Sequence, residues 1–138
     1  MKDLTSVVGT ELTLETTVQE HQTAKAMRSG GVDVLSTPYM IAFMEHTSSE
    51  CVRPFLDPGY VTVGTLVNVK HLASTPVGMK VSCTAKLVEC DGRRLVFDVV
   101  ARDDIEKIGE GRHERFIVNG ERFVEKTKAK GEKNDGNS

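Results

Sequence analysis

A chain of 138 residues is the size of one domain and long enough to bury a core without disulfide or metal staples. Its formal net charge of −2, the absence of Trp and the lack of any long Lys/Arg run argue against a nucleic-acid surface or a base-stacking platform. No stretch approaches ~20 apolar residues and M-K-D-L-T-S-V-V-G-T has no apolar signal core, so neither membrane insertion nor secretion is expected. The three cysteines, Cys51, Cys83 and Cys90, are odd in number and lack metal-ligand spacing. They read as reduced core thiols of a cytoplasmic protein.

Thr10–Gln19 alternates Leu12, Leu14, Thr16 and Val18 against Glu11, Thr13, Glu15 and Thr17, the pattern of a half-buried strand. Glu20–Arg28 is a polar piece with room for one helical turn, and Ser29-Gly30-Gly31 is a joint that reads either as an ordinary loop or as a lid. Ser36–Arg53 follows, with Pro38 suited to the first helical position and Thr37 before it as the cap. Every side chain from Tyr39 to Met44 is apolar, so this part of the helix is expected to have no solvent face. Pro54 and Asp57-Pro58-Gly59 end it.

Tyr60–Ser74 reads as a long strand with Val63, Thr65, Val67, Val69 and His71 on the inner face and Gly64, Leu66, Asn68 and Lys70 on the other. Thr75-Pro76-Val77-Gly78 is a turn, and Lys80–Glu89 turns Val81, Cys83, Ala85 and Leu87 inward. Asp91-Gly92 marks a hairpin, after which Arg94–Arg102 buries Leu95, Phe97, Val99 and Ala101. Lys107–Asn119 is a last strand whose two glycines suggest a bulge or the close approach of another group. A short helix around Phe123 and Val124 is expected to dissolve into charge. Residues 1–125 thus form one domain and 126–138 a polar, mobile tail. Strand, long helix and four one-sided strands predict an α+β fold, an antiparallel sheet wrapped around one helix. One helix covers such a sheet only in part, which predicts an exposed flank and homodimerisation.

Four residues carry candidate chemistry. Thr37 taken singly is a cap, His71 a structural histidine and Arg115 a surface cation, whereas Glu45, set among apolar neighbours, is either paired or functional. Together hydroxyl, carboxylate and imidazole form an acyl-transfer set. Eight residues apart, Thr37 and Glu45 are separated by ~12 Å along a helix axis and differ in direction by roughly 80°, so they cannot touch within it. Either an extended substrate spans them or two antiparallel helices across a twofold axis share one site, the arrangement expected here.

The helix T-P-Y-M-I-A-F-M-E, the strand G-T-L-V-N-V-K-H and the strand G-E-G-R-H-E-R-F-I-V, in this order, resemble the hotdog-fold acyl-CoA thioesterases, and among them the fluoroacetyl-CoA thioesterase group, over about residues 5–125. The resemblance implies catalytic roles for Thr37, Glu45 and His71. It also implies a substrate-binding role for Gly64 near the thioester carbonyl and for Arg115, and sites between the subunits of a homodimer or dimer of dimers. No cofactor or metal is implied, coenzyme A being part of the substrate. Arg28–Ser36 has no aromatic residue where the fluoroacetyl-specific enzymes carry a phenylalanine-rich lid, which points to a larger or more ordinary acyl group. The alternative function is a module of the same fold that binds an acyl-CoA or small metabolite without turnover. A hydratase is a further alternative, but it wants a His/Asp pair at the helix start.

Overall fold

The structure, a computed structural model, describes residues 3–136. Five strands, β1 (Glu11–Thr17), β2 (Tyr60–His71), β3 (Lys80–Asp91), β4 (Arg94–Asp103) and β5 (Lys107–Asn119), form one antiparallel sheet in the order β1-β3-β4-β5-β2. Helix α1 (Thr37–Val52) lies across it, and α2 (Gly120–Gly136) closes the described chain. The strand boundaries follow the alternation in the sequence closely, and Gly92, at φ +60°, opens the two-residue turn between β3 and β4. The segment around Thr75 is more than a turn. It carries the chain from the β2 edge across the sheet to β3, tied to the stretch before α1 through Leu35 N–H to Thr75 O, 2.9 Å.

Val81, Cys83, Ala85 and Leu87 of β3 and Leu95, Phe97, Val99 and Ala101 of β4 are all fully buried, as their periodicity predicts. Against them α1 packs Met40, Met44, Cys51 and Val52. Two polar residues of the helix are buried at no cost, because Thr47 Oγ1 donates to Phe43 O at 2.8 Å and Ser48 Oγ to Met44 O at 2.9 Å. The glycines of β5 do mark close approach. A Cβ on Gly109 would stand 2.5 Å from Met40 Sδ, and one on Gly111 would collide with the backbone of Asn68.

Three expectations need correction. The apolar run of α1 keeps an open side in the single chain: Ala42 is exposed and Ile41 half-buried, because the sheet covers only the Met40–Met44 stripe. Beside it the edge strand β2 leaves Val61, Leu66 and Val67 exposed, the open flank that one helix cannot cover. The second correction concerns β2, whose register slips between Gly64 and Leu66. This one-residue bulge reverses the alternation, so Gly64 looks toward the helix and Val63 away from it, the opposite of an unbroken strand. The third is that the helix starting at Gly120 does not stop near Val124 but continues through the charged segment to Gly136.

Candidate active site

The site begins with the capping of α1. Ser36, not Thr37, is the N-cap: its Oγ accepts the Tyr39 N–H at 3.1 Å and donates to Met27 Sδ at 3.1 Å, and Pro38 falls at the second helical position. Thr37, relieved of capping, directs its hydroxyl outward to His71 at the end of β2, where Oγ1 and Nδ1 are 2.8 Å apart. The other ring nitrogen, Nε2, is buried and has no hydrogen-bond partner among the described residues. Burial holds the imidazole below its ordinary range, with the Ala73 backbone offsetting part of the effect, so it is neutral at pH 7. A neutral ring with its proton on Nε2 leaves Nδ1 free to take the Thr37 proton. The pair lines a cleft of about 300 Å³ whose walls include Ser29, Leu35, Leu72 and Ala73.

A second cluster lies farther along α1. Glu45, its side chain 40 % exposed, holds Oε2 3.9 Å from Nη1 of the buried Arg115. Arg115 on β5 is fastened on three sides: Nε donates to Thr62 Oγ1 at 2.8 Å, Nη2 to Thr62 O at 2.9 Å and Nη1 to His113 Nε2 at 3.1 Å. Gly64 is the floor of this cluster. A Cβ there would meet Glu45 Oε2 at 2.7 Å, His113 Cε1 at 3.3 Å and Arg115 Nη1 at 3.4 Å, so a side chain would fill the space over the carboxylate. Gly64 and His71 are seven residues apart and would face opposite ways in a plain strand. The bulge at Thr65 puts both toward α1.

All five predicted site residues therefore lie along one helix and its flanking strands, but in two groups: Thr37 with His71, and Glu45 with Gly64 and Arg115. As their spacing requires, Thr37 and Glu45 do not meet within one chain. Sequence reasoning missed His113, set between Arg112 and Glu114 in β5. It is 1 % exposed, stacked near Phe97 at 6.4 Å between ring centroids, and bonded on both ring nitrogens. The signal was available, because His113 shares its parity in β5 with Arg115 and Ile117, the inward row.

An antiparallel sheet wrapped on a single helix, with a threonine–imidazole pair at the helix start and a carboxylate over a bare glycine, defines a hotdog-fold thioesterase. Comparison with known proteins agrees. The profile described as FlK, fluoroacetyl-CoA-specific thioesterase, matches residues 18–121. A fluoroacetyl-CoA thioesterase of Streptantibioticus cattleyicolor is 34 % identical over 129 residues, 89 % of this chain and 93 % of that one. A solved structure of the fluoroacetyl-CoA thioesterase FlK superposes with a TM-score of 0.85 at 34 % identity, covering 89 % of this chain and 96 % of that chain. A thioesterase superfamily member from Thermus thermophilus gives a TM-score of 0.86 at 29 % identity, covering 94 % and 96 %. The chain belongs to the fluoroacetyl-CoA-specific thioesterase family.

Proposed function

We propose that the protein hydrolyses an acyl-CoA thioester to free acid and coenzyme A at a site completed by two subunits of a homodimer. The observation that carries the chemistry is the 2.8 Å contact between Thr37 Oγ1 and His71 Nδ1 at the mouth of a cleft. Thr37 Oγ attacks the thioester carbonyl as its proton passes to Nδ1. The C–S bond breaks, and coenzyme A thiolate leaves with the proton that His71 returns. Water then attacks the acyl-threonine ester, giving up a proton as the Thr37 hydroxyl is restored and the acid released. Coenzyme A takes part only as substrate, and the reaction so written needs no cofactor.

Glu45 acts on the water, and the sharing of the site follows from its distance. On α1 it stands ~12 Å along the axis from Thr37. The open side of α1 at Ala42 and the exposed Val67 on the same face of the edge strand β2 form the surface on which a second copy packs. Antiparallel helices there set Thr37 beside Glu45 of the partner subunit, and Gly64 and Arg115 frame the carbonyl end. Support for coenzyme A comes from a variant of the fluoroacetyl-CoA-specific thioesterase solved with fluoroacetate and CoA, which superposes at TM-score 0.80, covering 84 % of this chain. For the acyl group we favour a larger or more ordinary one than fluoroacetyl, because Arg28–Ser36 carries no aromatic residue where the resemblance implies a phenylalanine-rich lid in the fluoroacetyl-specific enzymes. No helix among the described residues is long and apolar enough to cross a membrane, and the three free thiols suit a reducing cytoplasm.

A thiol-release assay over short, branched, aromatic and long acyl-CoAs tests this reading. Release from at least one, faster than from fluoroacetyl-CoA, is expected. No release from any, with tight binding of one, would turn the assignment to a binding module.

A further inference from the structure

His113 is the one fully buried imidazole of the described chain, and the reaction as written gives it no task. Its surroundings fix its state. Nδ1 lies 2.8 Å from Leu66 O, beside the β2 bulge, and a carbonyl can only accept, so Nδ1 carries the proton. Nε2 is then a bare acceptor, and it receives the Arg115 Nη1 proton at 3.1 Å. Burial above all, opposed by the Leu66 backbone bond and more weakly by Glu45 and Glu114 and aided by the Arg115 charge, holds the ring below its ordinary range, so this neutral form persists at pH 7.

The competitor for Nη1 is Glu45. A free guanidinium and carboxylate close to roughly 2.8 Å, yet Nη1 and Oε2 stand 3.9 Å apart. Arg115 is held at its other contacts by both oxygens of Thr62 and by His113. The Thr62 contacts use Nε and Nη2, so only His113 engages the nitrogen that faces the carboxylate.

We infer that His113 is a positioning residue that tethers Arg115 Nη1 and so keeps it from closing on Glu45, leaving the carboxylate oxygens free for water. The inference rests on the reading of Glu45 as a site carboxylate. The tether depends on the acceptor at Nε2, not on the anchoring bond from Nδ1 to Leu66, and two substitutions separate these. Asn places an amide N–H where Nδ1 was and offers nothing at the Nε2 position, whereas Gln reaches the Nε2 position with an acceptor.

The test is steady-state kinetics of the full chain on its best acyl-CoA for His113→Asn, His113→Gln and Glu45→Gln, with crystal structures of the first two. His113→Asn is expected to lower kcat by on the order of 10- to 100-fold, the cost of a misplaced group, with KM little changed. Its structure should show Nη1 closed onto Oε2. His113→Gln should recover most of kcat and keep the gap. The reverse order, equal losses in both, or an unchanged gap in His113→Asn would overturn the inference. A Glu45→Gln enzyme with wild-type kcat would instead remove the reading of the site on which it rests.

Discussion

Thr37 Oγ1 reaches His71 Nδ1 at 2.8 Å because the neighbouring Ser36, and not Thr37, caps helix α1 by accepting the Tyr39 N–H of its first turn. Capping and the contact with His71 are thereby divided between adjacent hydroxyls. If Ser36 is replaced by alanine, the helix loses its cap, at a cost of about 1 kcal/mol, and the nearest substitute is Thr37. Ser36→Ala should therefore lower kcat more than the small fall in thermal midpoint explains. A variant with the lowered midpoint and wild-type kcat would show that Thr37 holds its orientation without help.

Thr37→Ala, His71→Ala and Glu45→Gln should each reduce turnover by roughly 10²- to 10⁴-fold, the usual effect of removing one member of a nucleophile–base unit. A site shared across the twofold predicts more. In a mixed dimer of Thr37→Ala and Glu45→Gln subunits, one of the two sites is intact. Equal mixing with random reassociation should thus restore about a quarter of wild-type activity. Two inactive variants that stay inactive after mixing would place the whole site within one chain.

At Gly64 the space a side chain would need is taken by the site's own groups. A Cβ there would lie 2.7 Å from Glu45 Oε2, the far end of a flexible side chain, so Gly64→Ala is expected to fold and to displace the carboxylate. Acyl-CoA hydrolysis should drop by at least an order of magnitude while the urea midpoint moves little. Gly109→Ala tests the converse, since it presses on Met40 Sδ at 2.5 Å and Lys70 O at 3.1 Å: about 1–3 kcal/mol of stability lost from overpacking.

His71 and His113 are both held below the ordinary histidine value by burial. As pH falls through about 6.5, the unfolded chain binds protons at these positions before the folded chain does, so stability falls with pH in that window. Urea midpoints should be lower at pH 5.5 than at pH 7.5, and the difference should shrink in His113→Gln. Turnover should fall on the acid side too, once His71 is protonated and can no longer accept from Thr37. An acid limb at or above the ordinary histidine value would contradict the burial argument.

Burial pushes the Cys83 thiol up to about 11 and raises Cys51 and Cys90 in the same direction, but Cys90 alone of the three is only half-buried. Iodoacetamide on the folded protein should label Cys90 first and leave the other two until denaturant is added. Early labelling of Cys83, whose side chain is fully covered, would mean that the β3 core opens.

The sequence by itself determined the elements, because amphipathic periodicity is local: the alternating valines, leucines and alanines of β3 and β4 could only be strands with one buried face. It also named Thr37, Glu45 and His71 and showed, from helical rise alone, that the first two cannot meet on one helix. Tertiary structure decided the rest, in each case because an interaction with another element overrode the local pattern. The bulge at Thr65 exists only through pairing with β5, and it alone turns Gly64 and His71 to the same side. His113 became a buried acceptor for Arg115 only when β5 was placed between β4 and β2. Read locally, Thr37 before Pro38 is the cap. His71, thirty-four residues farther on, takes the Thr37 hydroxyl and leaves the cap to Ser36.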